Sequence, residues 1–170
     1  AIDQYDNDIQ AYFSEADYED AQNAEISMLW GQIDNYRALI FKHILKSLDL
    51  NGIDEYTLLL YVDVNAQPSK KDYVKASKLE PTTCFEMIKR LQRKGFLTEA
   101  ENKEDRRSTI LKITHEGKTV LEDAKMKLNR INRHMYIHIP TSDKKVLISD
   151  LKKMIATVSD TLETATSKGF

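Results

Sequence analysis

Apolar residues recur at three- and four-residue steps along much of this chain, the pattern of helices that bury one face. From Ala24 the positions Ile26, Leu29, Ile33, Tyr36, Ile40 and Ile44 form one continuous stripe, and Gly52 breaks the chain after it. Asp54 to Val64 predicts a short buried helix. Gln67-Pro68-Ser69 marks the next turn, with Ser69 as N-cap of a helix over Lys70 to Ser77. Pro81 suits the first position of the following helix, where its missing N–H costs nothing, and Gly95 suits the position just past the end. On a wheel of about 100° per residue, Cys84, Met87, Ile88 and Leu91 fall on one side of this helix, and Thr82, Glu86, Lys89 and Arg93 on the other.

Beyond it the period changes. Leu97 to Glu101 and Arg107 to Thr114 read as strands, with Asn102-Lys103-Glu104-Asp105-Arg106 as the hairpin loop between them. Leu121, Ala124, Leu128, Ile131 and Met135 then march at heptad-like spacing toward Pro140, which stops that helix. A last helix is predicted from about Ser142, with Val146, Leu147, Leu151, Met154, Ile155, Val158 and Leu162 as its stripe. Long stripes at both ends exceed what a small central lobe can cover. They are expected to pack against each other and against a second copy of the chain.

Length and composition narrow the class. A chain of 170 residues suits one ordinary domain, or a compact lobe with a helical dimerisation region, and only five Gly and three Pro favour a helical protein over a loop-rich one. No apolar run is long enough to cross a bilayer and no signal peptide is recognisable, so a cytoplasmic location without membrane contact is expected. The single cysteine, Cys84, excludes an intrachain disulfide.

The net charge of −2 hides an uneven distribution. Residues 1 to 36 hold nine acids and no Lys or Arg, forming an acidic leader over 1 to 23 with a short helix expected at Asn7 to Phe13. From Ser69 to Lys118 there are 13 bases against eight acids, the footprint a phosphate backbone attracts. Within that stretch the Pro81 to Lys94 helix is the candidate major-groove element, with Thr82, Thr83, Phe85, Glu86, Lys89 and Arg90 toward the bases. Asp105 can brace Arg107 by a charge-assisted pair, placing Arg107 for a minor groove while Arg106 and Lys103 meet phosphate. Ser69, Lys70, Lys71 and Arg93 are candidate phosphate contacts; Lys75 and Lys78 add nonspecific affinity.

Asp105, Arg107, Ile113, Thr114 and Gly117 resemble the D-x-R-x5-[LI]-T-x-x-G signature of the MarR (multiple antibiotic resistance regulator) family of winged-helix transcription factors. Leu91-Gln92-Arg93-Lys94-Gly95-Phe96-Leu97 resembles that family's end of the recognition helix, at the expected distance before the wing. The resemblance covers roughly residues 24 to 165. It implies a mainly α winged helix-turn-helix fold with a small antiparallel β wing and long N- and C-terminal dimerisation helices. The expected division is 24–50 and 115–170 for dimerisation and 53–114 for the winged lobe, in a single domain over 24–170. The function it implies is a homodimeric, effector-responsive repressor binding a pseudo-palindromic double-stranded DNA operator. Small aromatic or lipophilic effectors are implied in a cleft bordered by Trp30, Tyr36, Tyr56, Tyr61 and Tyr136. Two positions depart from the family pattern: Glu86 stands where Arg or Lys is frequent, and Phe85 where a small polar residue is usual. Glu86 repels phosphate but can accept from a cytosine N4 amino group or pair with Lys89 or Arg90, and Phe85 can touch a thymine methyl or pack beneath the wing.

Two rivals remain open at this point. One is a protein-interaction module that kept the fold, with DNA binding lost or inhibited by the acidic leader. The other is a redox or metal sensor acting through Cys84 or the His134/His138 pair, although the wheel puts Cys84 on the buried side, and two histidines lack a third ligand. No cofactor or resident metal is expected. No phosphate-binding Gly loop and no nucleophile, base and orienting group stand in a recognisable motif, so an enzyme is not expected.

Overall fold

The computed structural model describes residues 18–65, 68–102 and 109–168. The expected helix at Asn7 to Phe13 lies outside them, as do Lys103, Asp105, Arg106 and Arg107. Among the described residues are six helices and one two-stranded antiparallel sheet: α1 (Tyr18–Lys46), α2 (Ile53–Val64), α3 (Lys70–Ser77), α4 (Pro81–Arg93), β1 (Leu97–Glu101), β2 (Thr109–Ile113), α5 (His115–Met135) and α6 (Thr141–Lys168). The chain divides into two compact units, one ending at Leu128 and one starting at Asn129, so the boundary falls inside α5.

In the first unit, α1 is already helical at Tyr18, the first described residue, six residues before the expected Ala24. Only the end of α1 enters the core, through Phe41 and Leu45. There they join Leu58, Leu59 and Val62 of α2, Tyr73 of α3, Cys84, Met87, Ile88 and Leu91 of α4, and Leu121, Ala124 and Leu128 of α5. Each such leucine contributes about 1.5–3 kcal/mol of transfer free energy.

The hairpin pairs Leu97 with Ile113, Glu99 with Leu111 and Glu101 with Thr109. Ser69 bridges Ile110, and the Leu111 N–H donates to the Pro68 carbonyl at 2.8 Å, so the start of α3 lies along the free edge of β2. The second strand is described from Thr109; Arg107 and Ser108, the start of the expected strand, lie outside the described residues.

In the second unit, α5 ends at Met135, five residues before Pro140. The Ile137 N–H donates to the His134 carbonyl and the Ile139 N–H to the Tyr136 carbonyl, both three residues back. A residue that precedes proline is driven out of the helical region, so the chain tightens and turns before the proline itself. The Pro140 carbonyl then accepts from the Lys144 N–H at 3.0 Å as α6 begins.

Large apolar side chains remain uncovered in each unit. On α1, Ile26, Leu29, Trp30, Ile33, Tyr36, Leu39 (65 % exposed) and Ile40 face solvent. On α6, Val146, Ile148, Met154, Ile155 (69 %), Val158 and Leu162 do the same. These are most of the stripes expected at the two ends of the sequence.

Candidate nucleic-acid interface

The site is built on α3, α4 and the hairpin. A capping box starts α3: Ser69 Oγ accepts from the Asp72 N–H at 3.2 Å, while the Ser69 N–H donates to Asp72 Oδ2 at 2.9 Å. The Ser69 N–H and the Ser69 hydroxyl, which donates to Asp72 Oδ2 at 2.8 Å, hold the Asp72 carboxyl below its usual range. The turn into α4 runs through Lys78, whose φ of 57° is left-handed. Pro81 opens α4, and no side chain caps it, so the first N–H groups, Thr82 and Thr83 among them, point outward with both threonines exposed.

At its far end α4 closes on Gly95 at φ 76°. The Phe96 N–H returns to the Leu91 carbonyl at 2.9 Å and the Gly95 N–H to Gln92 at 3.0 Å, a Schellman closure that only a residue at ease with positive φ makes without strain. The two faces of α4 are cleanly separated. Cys84, Met87, Ile88 and Leu91 are buried; Thr82, Thr83, Phe85, Glu86, Lys89 and Arg93 are exposed. Phe85 stays at the surface, 40 % exposed.

The T-x-x-G part of the signature has a mechanical basis. Thr114 Oγ1 accepts from the Gly117 N–H at 2.9 Å, capping α5, and donates to the Gly95 carbonyl at 2.6 Å. The Thr114 N–H reaches the Phe96 carbonyl at 3.1 Å. Gly117 presses on that same carbonyl so closely that a Cβ would stand 2.1 Å from its oxygen. One threonine and one glycine thus weld the start of α5 to the end of α4.

Two carboxylates, neither singled out by sequence reasoning, organise the cations. Glu55 of α2 is 1 % exposed. It accepts from Arg90 Nε at 2.8 Å, Lys94 Nζ at 3.1 Å and the Asn51 N–H at 2.9 Å. Burial pushes this carboxyl up, but the bonds from Arg90, Asn51 and Lys94 outweigh it and hold the group below its usual range. Lys94 also donates to the Asp49 carbonyl at 2.6 Å, so the turn after α1 is tied to the end of α4. Glu99 of β1 gathers Lys70 Nζ at 2.7 Å, Gln92 Nε2 at 2.6 Å and Thr109 Oγ1 at 3.0 Å. Burial raises its carboxyl, and the bonds from Lys70, Gln92 and Thr109 bring it below its usual value. It joins α3, α4 and both strands at the base of the wing.

The expected DNA contacts therefore divide. Lys70 and Arg90 are engaged by carboxylates of their own lobe, and Ser69 is engaged in its cap. Lys71, Lys89 and Arg93 are exposed and form no ion pair with another described residue. Among the aromatics named for an effector cleft, Trp30 and Tyr36 are exposed on α1, and Tyr56 is half-buried on α2. Tyr61 lies against Tyr73, ring centroids 5.3 Å apart and tilted by 59°, and burial pushes the Tyr73 phenol up to about 12. In the second unit Tyr136 borders a 560 Å³ cavity with Asn132, Arg133, Lys144, Leu147 and Leu151. Cys84 is fully buried, its sulfur 3.3 Å from Ser77 Oγ. His134 and His138 are exposed, and no group of three or more metal-ligating side chains stands among the described residues. None of the described helices is long and apolar enough to cross a membrane.

Comparison with known proteins fits this geometry. Residues 65–117 match the model of a winged helix DNA-binding domain. Among curated relatives, an uncharacterized HTH-type transcriptional regulator, YdgJ of Bacillus subtilis, is 26% identical over 98 residues; the match spans 58% of either chain. The HTH-type transcriptional regulator BilQ of Clostridioides difficile is 24% identical over 136 residues, which is 79% of this chain and 90% of that one. Among solved structures, S. aureus MepR in complex with DNA superposes with a TM-score of 0.68 at 16% identity, over 78% of this chain and 95% of that one. Apo MarR from E. coli gives a TM-score of 0.64 at 18% identity, over 75% and 94%.

Proposed function

With the chain taken as a winged-helix protein of MarR type, we propose that it is a dimeric, sequence-specific transcriptional regulator, an effector-responsive repressor of a pseudo-palindromic operator. The observation that carries this proposal is α4 itself: one face wholly buried, the other offering Thr82, Thr83, Phe85, Glu86, Lys89 and Arg93 to solvent, in a helix locked to the wing base through Glu99. Each subunit lays α4 in a major groove. Lys71, Arg93 and the wing residues Lys103 and Arg106 meet phosphate, and Arg107, braced by Asp105, reaches the neighbouring minor groove.

The uncovered stripes of α1 and α6 supply the surface for the second copy. Half-sites about one helical turn apart match the resulting two-fold axis. Trp30, Tyr36, Tyr56, Tyr61 and Tyr136 are the aromatic groups available to a small aromatic or lipophilic effector. Such a ligand releases the operator to the extent that it binds a dimer of different α4 spacing more tightly.

The test is selection of bound duplexes from a random library, followed by salt-dependent anisotropy on the selected site with Arg107→Ala as control. A palindrome whose affinity falls in the variant is the expected result. No enriched sequence, with the variant binding like the parent at every salt concentration, would overturn the proposal.

A further inference from the structure

A carboxylate at the centre of a DNA-facing helix is costly, because it repels phosphate and has no donor to offer. Glu86 is in that position: exposed, one turn after Thr82, and flanked by Lys89 and Arg93 on the outward face of α4. In an ordinary surface helix such a glutamate is neutralised by a cation three or four residues on, here Lys89 or Arg90. Neither serves. The Arg90 guanidinium is held at 2.8 Å by Glu55, on α2, and the Glu86 carboxylate forms no ion pair or hydrogen bond with another described side chain, Lys89 included. The cation best placed to neutralise Glu86 is thus engaged by a second, buried carboxylate, and the outward face keeps two uncommitted acceptor oxygens.

In the major groove an acceptor-only group needs an amino donor. Adenine presents its N6 amino group beside the N7 acceptor, which repels a carboxylate, whereas cytosine presents its N4 amino group without an acceptor on the same edge. We propose that Glu86 is a specificity-determining residue that accepts a hydrogen bond from the N4 amino group of one cytosine in each half-site. Glu55 is a positioning residue that keeps Glu86 available by holding Arg90 away from it. Glu86 also lowers affinity for unrelated DNA, where its charge meets phosphate with no amino group to compensate. The inference rests on the DNA-binding function proposed above.

Random-library selection with the full-length parent, Glu86→Gln and Glu86→Ala tests it, with thermal unfolding of each protein as the folding control. The parent is expected to enrich cytosine at one column per half-site. Glu86→Gln moves that column toward adenine, which a carboxamide matches with both a donor and an acceptor, and Glu86→Ala loses the column while the rest of the motif survives. In the selected operator, a pyrimidine lacking the 4-amino group in place of that cytosine weakens the parent about fivefold or more and leaves Glu86→Ala unmoved. An identical motif for parent and Glu86→Ala would overturn the Glu86 assignment while leaving DNA binding intact. So would a uniform rise in affinity of Glu86→Ala for every sequence with no change of preference. A parent that enriches nothing overturns the DNA-binding function itself.

Discussion

Replacing Glu55 by glutamine keeps the volume and one acceptor but removes the charge that two cations share. Lys94, with 17 % of its side chain exposed, then retains the Asp49 carbonyl at 2.6 Å, Asn51 Oδ1 at 3.4 Å and one carboxylate, that of the largely exposed Asp49, at 3.7 Å. Breaking a fully buried ion pair costs about 3–5 kcal/mol, because the surviving charge is left without its partner. Arg90 is about one-third exposed and can turn to water, which reduces its share. The expected loss for Glu55→Gln is therefore about 2–3 kcal/mol, carried mainly by Lys94. Urea unfolding at fixed protein concentration measures it as a lower midpoint with unchanged slope. A triple replacement of Glu55, Arg90 and Lys94 by methionine should recover most of the loss, since the buried charges disappear together. Glu55→Gln should also release Arg90 toward Glu86 and weaken the cytosine preference. A variant within about 0.5 kcal/mol of the parent, the range of ordinary surface substitutions, would refute the argument that this cluster is a buried, mutually dependent charge network.

Gly117→Ala would normally gain about 1 kcal/mol inside a helix, but the new Cβ would sit 2.1 Å from the Phe96 oxygen. A loss of about 1–3 kcal/mol is expected in the same unfolding assay, and a more stable variant would show that the α4–α5 weld is not tight. Glu55, Asp63, Asp72 and Glu99 all titrate below their ordinary values of 4.5 for Glu and 3.8 for Asp. For Asp63 the leading cause is the bond from Lys118 at 3.0 Å. The folded state holds these protons more weakly than the unfolded chain, so the stabilisation is complete above the unfolded values and is lost as pH falls through the lowered ones. Unfolding free energy should be flat from neutrality to about pH 5 and fall below about pH 4.5; no fall between about pH 4.5 and pH 2 would contradict the assignment. Ile155→Asp on the exposed face of α6 should shift the sedimenting species from dimer toward monomer, and an unchanged mass would remove that face from the subunit interface.

The extent of α4 was legible because proline and glycine punctuate it, and its buried quartet because 3.6-residue periodicity maps directly onto burial. The signature residues Thr114 and Gly117 are recognisable as a pattern, but their task, holding Gly95 and Phe96, exists only between segments that the fold brings together. Glu55 left a trace that periodicity alone could have raised: Leu58, Leu59 and Val62 stand three, four and seven residues beyond it, so it shares their buried face. Nothing local, however, names partners 35 and 39 residues away. For the same reason Lys70 and Arg90 counted equally with Lys71 and Lys89 in a sequence-level charge sum. Net charge records how many cations a lobe has, while pairing decides how many remain for phosphate.

Cys84 is the one thiol of the chain, enclosed in the lobe that carries α4. A maleimide or disulfide reagent can reach it only when that lobe opens, so under conditions of fast reclosing the labelling rate counts open molecules against closed ones. The wild-type chain therefore carries a single-site clock of its own stability, readable by mass in dilute or impure samples. Any partner that binds only the closed lobe must slow that clock by the factor 1 + [L]/Kd, which turns a buried sulfur into a binding assay that needs no labelled DNA and no knowledge of the operator.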